Sequence, residues 1–226
     1  MANHRSQAKD TQADVNFWSG DVTVFAGSDV KKGDEVFFSY GPKSNDALLQ
    51  YYGFVEEDNP NDVYVFEGFE QKVAETRVIP SDSVSRRLKE LRNKGWGPTL
   101  ESISLNAKGS PTLLSAKVLN LAFGNADIEP YETVLEQTKR SLPASSAGDD
   151  DDDNNDSPML TKNARTALGL MCRAELDRTP TTLEDDANLY KELKADDEDS
   201  EAFRRRMAVL FRIGKKRMLT KCISNS

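Results

Sequence analysis

The apolar positions of this 226-residue chain recur with two different periods. Up to about residue 70 they come in short β-branched and aromatic runs: residues 21–26, residues 36–40 (Val-Phe-Phe-Ser-Tyr) and residues 63–66 (Val-Tyr-Val-Phe). Short runs of this composition, bounded by Gly, Pro, Asn and Asp, predict strands. Beyond about residue 80 the spacing shifts to the i, i+4, i+7, i+8 pattern that lines one face of a helix. Residues 83–93 and 131–139 predict charged helices, with a break at Gly95-Trp96-Gly97-Pro98 and a brief extended piece at residues 101–105. Ser110 and Pro111 stand where a cap and first-turn proline open a helix, Leu114, Val118, Leu121 and Ala122 form its stripe, and Gly124 ends it. Pro158 opens a longer helix with Leu160, Ala164, Ala167, Leu168 and Met171 on one side. Thr182 caps the next, which has Asp185 and Asp186 in its first turn and Leu183, Ala187 and Tyr190 inward. The last helix places Phe203, Met207, Leu210, Phe211 and Met218 inside. Its other face is basic: Arg204, Arg205, Arg206, Arg212, Lys215, Lys216 and Arg217. The pattern predicts an α+β chain, with a β-rich body over residues 1–70 and a helical one over 71–226.

Between the two periods lies a strand–turn–helix unit. Residues 36–40 read as a buried strand that Gly41 and Pro42 break. Ser44 can cap a short helix and Gly53 can close it in the left-handed conformation, so Tyr40 and Tyr52 stand at the two ends of one unit. On the residues alone, a solvated turn between core elements, with the tyrosines as half-buried packing, explains this stretch better than a site does.

Composition narrows the function classes. Charged residues make up 30% and the net charge is −8, which argues against general affinity for nucleic acid. No apolar run approaches the ~18 residues of a membrane-spanning helix, and the N-terminus lacks a secretory pattern. Cys172 and Cys222 have neither metal-ligand spacing nor a disulfide framework, which suits a reducing, intracellular compartment. Residues 143–157 contain five consecutive aspartates, Asp149 to Asp153, and read as an acidic disordered loop. A calcium loop needs alternating ligands, a glycine and a distant Glu, and that pattern is missing. No metal site is expected.

Several ordered motifs carry a family resemblance. Gly33-Asp-Glu-Val-Phe-Phe-Ser-Tyr-Gly41, Lys43-Ser44-Asn45, Leu48 and Tyr52-Gly53-Phe54 resemble the C-terminal end of a SET domain of the Rubisco large-subunit methyltransferase type, and Asn3-His4 resembles its Asn-His signature. Pro111-Thr-Leu-Leu114, Thr181-Thr-Leu-Glu-Asp185 and Arg212-Ile-Gly-Lys-Lys216 resemble the helical substrate-binding domain that follows it. The resemblance implies an S-adenosylmethionine-dependent protein-lysine N-methyltransferase that binds a protein substrate through its helical domain. It implies Tyr40 as the catalytic tyrosine, with Asn3, His4, Tyr52, Gly53 and Phe54 around the cofactor. Arg5 departs from the pattern, where a small residue, often serine, is usual. The Gly-x-Gly half of a SET domain has no counterpart here, so the chain by itself is expected to be incomplete for catalysis. Lysine is not fixed as the acceptor, since a relative of this family methylates histidine.

Methyl transfer to an amine needs alignment of nucleophile, carbon and leaving sulfur more than covalent help. Tyrosine hydroxyls and carbonyl oxygens suit that task. Three other readings compete. The helical half can be a non-catalytic protein-binding module. The basic last helix can bind nucleic acid, against which the acidic remainder and the lack of interleaved aromatics argue. His4, the single histidine, can serve a hydrolase triad, but no serine or cysteine lies in a recognisable nucleophile turn.

Overall fold

A computed structural model describes residues 3–6, 8, 12–15, 18–25, 29–124, 127–133, 159–195 and 200–226. The acidic stretch and most of the helix expected over 131–139 lie outside these residues. The fold is α+β and mostly helical, and it divides into two compact units: Met1–Val63 with Glu184–Gly214, and Tyr64–Leu183 with Lys215–Ser226. The division is therefore not one cut near residue 70, as hydrophobic period suggests. A stretch from the helical half belongs with the N-terminal unit.

In the first unit, β1 (Asn3–His4) pairs in parallel with β4 (Phe37–Phe38), with Asn3 opposite Phe37 and His4 opposite Phe38. Between them β2 (Gln12–Val15) and β3 (Val22–Phe25) form an antiparallel pair. The strand expected over residues 36–40 is thus shorter, and those residues are half-buried rather than buried. The physical reason is that β4 has β1 as its hydrogen-bonded neighbour in a two-stranded sheet, which cannot enclose both faces. Helix α1 (Asn45–Tyr52) follows. Val55, Met207 and Leu210 form the unit's apolar cluster, with Leu49, Phe54, Tyr190 and Phe211 packed on it.

The second unit has the larger core. Its elements are β5 (Val63–Glu67), α2 (Phe69–Thr76), α3 (Ser81–Asn93), a 3-10 turn (Gly97–Leu100), β6 (Ser102–Asn106), α4 (Leu113–Phe123), α5 (Lys162–Asp177) and the end of the last helix. β5 pairs with β6, which places the 63–66 run with the helical unit rather than the N-terminal one. Trp96, fully buried, donates its indole N–H to the Glu129 carbonyl at 2.8 Å, as a buried indole must find a partner. Thr112, not Ser110, caps α4, and Pro111 instead bridges to Leu105. The buried face of α4 turns accordingly to Ser115, Val118, Leu119 and Ala122, and Leu114 is exposed. Thr161 caps α5 by accepting from Ala164, and Asn120 fixes the same entry by donating to Met159 and accepting from Thr161. Cys172 and Cys222 are free thiols within this core.

Helix α6 (Leu183–Ala195) buries Asp186, which pairs with Arg212 at 2.7 Å, where the pattern had predicted only Leu183, Ala187 and Tyr190 inward. In α7 (Ser200–Ser224) Met207, Leu210 and Met218 are buried as expected, while Phe203 is exposed and Phe211 half-buried. Lys216 does not belong to an exposed basic face. It is 3% exposed, and its ammonium donates to the Thr181 carbonyl, the Thr181 hydroxyl (2.8 Å) and the Thr182 carbonyl (3.3 Å). Among the described residues no helix is long and apolar enough to cross a membrane.

Candidate functional site

Helix α1 begins and ends as its sequence predicts. Ser44 is extended and its side chain accepts the Ala47 N–H, and Gly53 turns left-handed at φ 77° while donating to the Leu49 carbonyl. That turn requires glycine because a side chain would be strained there. It reverses the chain so that Tyr52 and Phe54 lie either side of it. Tyr40 arrives from the other direction, two residues past the end of β4. The rings of Tyr40 and Tyr52 come within 4.7 Å, Phe38 and Tyr40 within 4.9 Å, and Tyr52 and Phe54 within 6.4 Å.

His4 joins this cluster from β1. Its ring lies 4.9 Å from Tyr40 and 6.0 Å from Phe54, and the residue is 8% exposed. The Tyr40 backbone N–H donates to His4 Nδ1 at 2.9 Å. His4 Nε2 faces Ser6 Oγ at 3.2 Å and Glu56 Oε2 at 3.5 Å. Ser6 gives Glu56 both its backbone N–H (2.9 Å) and its hydroxyl. Arg5, the departure from the family pattern, is exposed with its guanidinium 3.9 Å above the Phe37 ring, and Ser6 is the buried neighbour.

Joined to Glu56 is a buried polar network that the residue pattern did not predict. Asn45 donates its backbone N–H and its amide to Asp62 at 3.0 and 3.2 Å, and exchanges two further bonds with the Glu56 backbone. Asn59 donates to the Lys43 carbonyl and to Asn45 Oδ1. All three side chains are 3–4% exposed. The signal available for it was Asn59-Pro60-Asn61-Asp62, a turn sequence whose side chains readily bond backbone groups.

Of the residues expected at the site, His4, Tyr40, Tyr52 and Phe54 form one aromatic cluster, and Gly53 shapes the turn between the last two. Asn3 is placed in β1 by its pairing with Phe37. A Ser–His–carboxylate set is present in Ser6, His4 and Glu56, but it is not a hydrolytic triad. The carboxylate sits on the serine, and Nδ1 accepts an N–H instead of donating to an acid. Among the described residues no group of three or more His, Cys, Asp and Glu could hold a metal ion.

A second polar centre lies in the other unit. Glu175 accepts from Tyr64 at 2.9 Å, from Arg178 at 2.8 Å and from Lys72. Partial burial opposes its charge, but the bonds from Lys72 and Tyr64 and the charges of Lys72 and Arg178 prevail and hold it below the usual carboxylate range. Burial, then the adjacent Glu175, push the Tyr64 hydroxyl up.

Residues 86–219 match the family model described as Rubisco LSMT substrate-binding. The chain belongs to this family. The ribosomal lysine N-methyltransferase set11 of Schizosaccharomyces pombe is 40% identical over 42 residues, which is 19% of this chain and 11% of that protein. The chain therefore spans about a tenth of the length of the curated relative it matches. The family match includes α4, α5, α6 and most of α7, and so takes in the elements whose caps and stripes the helical pattern predicted.

Proposed function

We propose that this Rubisco LSMT substrate-binding chain serves an S-adenosylmethionine-dependent protein-lysine N-methyltransferase. In this reading the N-terminal unit is the C-terminal part of a SET domain, and the helical unit holds the protein substrate. The observation that carries the reading is the convergence of Tyr40, Tyr52, Phe54 and His4 in one aromatic cluster, in a chain whose residues 86–219 match this family. The relative's printed name, a ribosomal lysine N-methyltransferase, supports the same class.

The residues fit a sulfonium cofactor in kind. Aromatic faces attract a cation, and phenol oxygens can accept weak C–H contacts from its methyl group. When bound, S-adenosylmethionine supplies an electrophilic methyl group. Tyr40 then orients the acceptor amine through its hydroxyl, while Tyr52 and Phe54 line the methyl's surroundings. His4 has both ring nitrogens engaged inside the protein, so it contributes a ring face and backbone groups to the cofactor rather than a base. The backbone of Asn3 lies alongside. Location inside the cell is part of this proposal.

The test is transfer of a labelled methyl group from S-adenosylmethionine to lysine in protein extracts by the full-length protein, with amino-acid analysis of the product. Label on lysine supports the reading, label on histidine corrects the acceptor, and no label overturns it. A non-catalytic protein-binding role is the second reading. It is favoured by the family match starting at residue 86, outside the Tyr40 cluster. Protein capture without label would establish it.

A further inference from the structure

We propose that Glu56 is a positioning residue: by facing Nε2 directly and by committing the Ser6 hydroxyl, it holds the His4 imidazole in the neutral Nε2–H form, and that form anchors the Tyr40 backbone. The inference rests on the reading of Tyr40 as the site's tyrosine only for its functional meaning. Its physical content stands on the hydrogen bonds alone.

The direction of each bond in the chain is forced in turn. An ionised carboxylate accepts and cannot donate. Glu56 takes the Ser6 backbone N–H on one oxygen and the Ser6 hydroxyl on the other. The serine proton is thereby committed to the close Glu56 oxygen, with Asn59 Oδ1 a further acceptor at 3.5 Å, and Ser6 Oγ has only lone pairs to offer His4. Nε2 must then carry the proton in the 3.2 Å contact with Ser6, and Glu56 Oε2, 3.5 Å away, favours the same proton. A neutral imidazole protonated at Nε2 is bare at Nδ1. A bare Nδ1 is what the Tyr40 N–H meets at 2.9 Å. The other tautomer, or the imidazolium, would set N–H against N–H there. This is the logic by which the partner of one ring nitrogen decides the state of the other.

The consequence is a link from Glu56, which follows the aromatic turn after α1, to the stretch just past β4 that carries Tyr40. These residues are far apart in sequence, and no residue in the link needs to touch substrate. The link also assigns His4 a fixed role as an acceptor of backbone, which takes it out of the running as a proton acceptor for an incoming amine.

A single histidine makes the experiment direct. The ¹⁵N-labelled chain is examined at neutral pH by long-range ¹H–¹⁵N correlation of the imidazole, together with hydrogen exchange at the Tyr40 amide. The expected wild-type result is a protonated Nε2, a bare Nδ1 and a protected Tyr40 amide. Glu56→Gln reverses the chain's direction. The Ser6 N–H keeps the amide oxygen facing it, so the new NH₂ group points at Ser6 Oγ and donates. The serine proton is then shared between Nε2, 3.2 Å away, and Asn59 Oδ1, 3.5 Å away. The expected result is a mixture of tautomers and Tyr40 exchange roughly tenfold or more faster, because local opening becomes easier. Ser6→Ala leaves Nε2 facing the acceptor-only Glu56, and should keep the wild-type tautomer.

A wild-type ring protonated at Nδ1 overturns the proposal. So does a folded Glu56→Gln chain with an unchanged tautomer, or a Ser6→Ala chain that loses it. If Glu56→Gln does not fold, Ser6→Ala decides alone: retention supports the proposal and loss overturns it. None of these readouts uses a methyl donor, so failure of the methyltransferase reading and failure of this one are separately visible.

Discussion

The rings of Tyr40 and Tyr52 lie 4.7 Å apart between centroids and are tilted by 42°. One lies two residues past a short parallel strand and the other in the last turn of α1, so their approach depends on the break at Gly41 and Pro42 between them. In the proposed enzyme this approach leaves the Tyr40 hydroxyl as the group that matters and the ring as the group that packs. Tyr40→Phe in the full-length protein should lower methyl transfer by roughly 10- to 1,000-fold, the range for losing one preorganised polar contact at a reacting centre. The melting temperature should hardly move, since the ring is kept. Single-turnover transfer from labelled S-adenosylmethionine measures the effect, and a rate equal to wild type would show that Tyr40 only packs.

Asp62 is 4% exposed and accepts from the Asn45 backbone, the Asn45 amide and the Val63 N–H. Asp62→Ala strands these buried donors and should cost roughly 2–4 kcal/mol. Asp62→Asn retains one acceptor oxygen and should cost less. Hydrogen exchange at the Asn45 amide, together with urea unfolding of both variants, measures the difference. Equal stability of Asp62→Ala and wild type would mean that the network is replaced by solvent.

Lys216 joins the last helix to the Thr181–Thr182 turn, with its ammonium spread over two carbonyls and a hydroxyl. Lys216→Met keeps the stem and removes every donor, and should destabilise the chain by about 3 kcal/mol. Arg205→Met, on an exposed position of the same helix, should fall within about 0.5 kcal/mol of wild type. A pair of thermal melts distinguishes the buried lysine from the exposed arginine.

Glu175 gives a pH dependence with a definite sign. Its carboxyl is held below the ordinary value of 4.5 in the folded chain, so the unfolded chain takes up this proton first as acid is added. The stability that Glu175 contributes is present above about pH 4.5 and is lost as pH falls through the folded value. Glu175→Gln should therefore be less stable than wild type at pH 7, and the gap should narrow below about pH 4. Unfolding curves at both pH values check this, and a gap that widens in acid would reverse the assignment.

The sequence spoke most clearly where one residue type has one physical use. Ser44 and Gly53 mark the ends of α1 because a capping oxygen and a left-handed turn each admit few residues. The stripe of α5 from Ala164 to Met171 and the positions Met207, Leu210 and Met218 of α7 were legible from period, though Phe203 was not, and the motif order led to the family that the match over 86–219 shows. The unit boundary was not legible, because Met207 and Leu210 follow the same period whichever cluster they join. Lys216 was misplaced for a related reason: charge predicts exposure unless carbonyl partners are known, and Thr181 lies 35 positions away. The Asn45, Asn59 and Asp62 network was hidden because polar residues near a turn look alike whether they face solvent or one another.

The N-terminal unit is completed by residues 184–214, far along the chain. Leu49 and Val55 acquire Met207 and Leu210 as neighbours only after some 150 intervening residues have been made. During synthesis, at roughly 5–20 residues per second, the strand–turn–helix stretch that carries Tyr40 and Tyr52 therefore leaves the ribosome many seconds before Leu49 and Val55 can be covered. The segment made first is among those that wait for the end of the chain. Shortening the chain from its C-terminal end by even the last helix would remove part of the support for the site nearest its beginning.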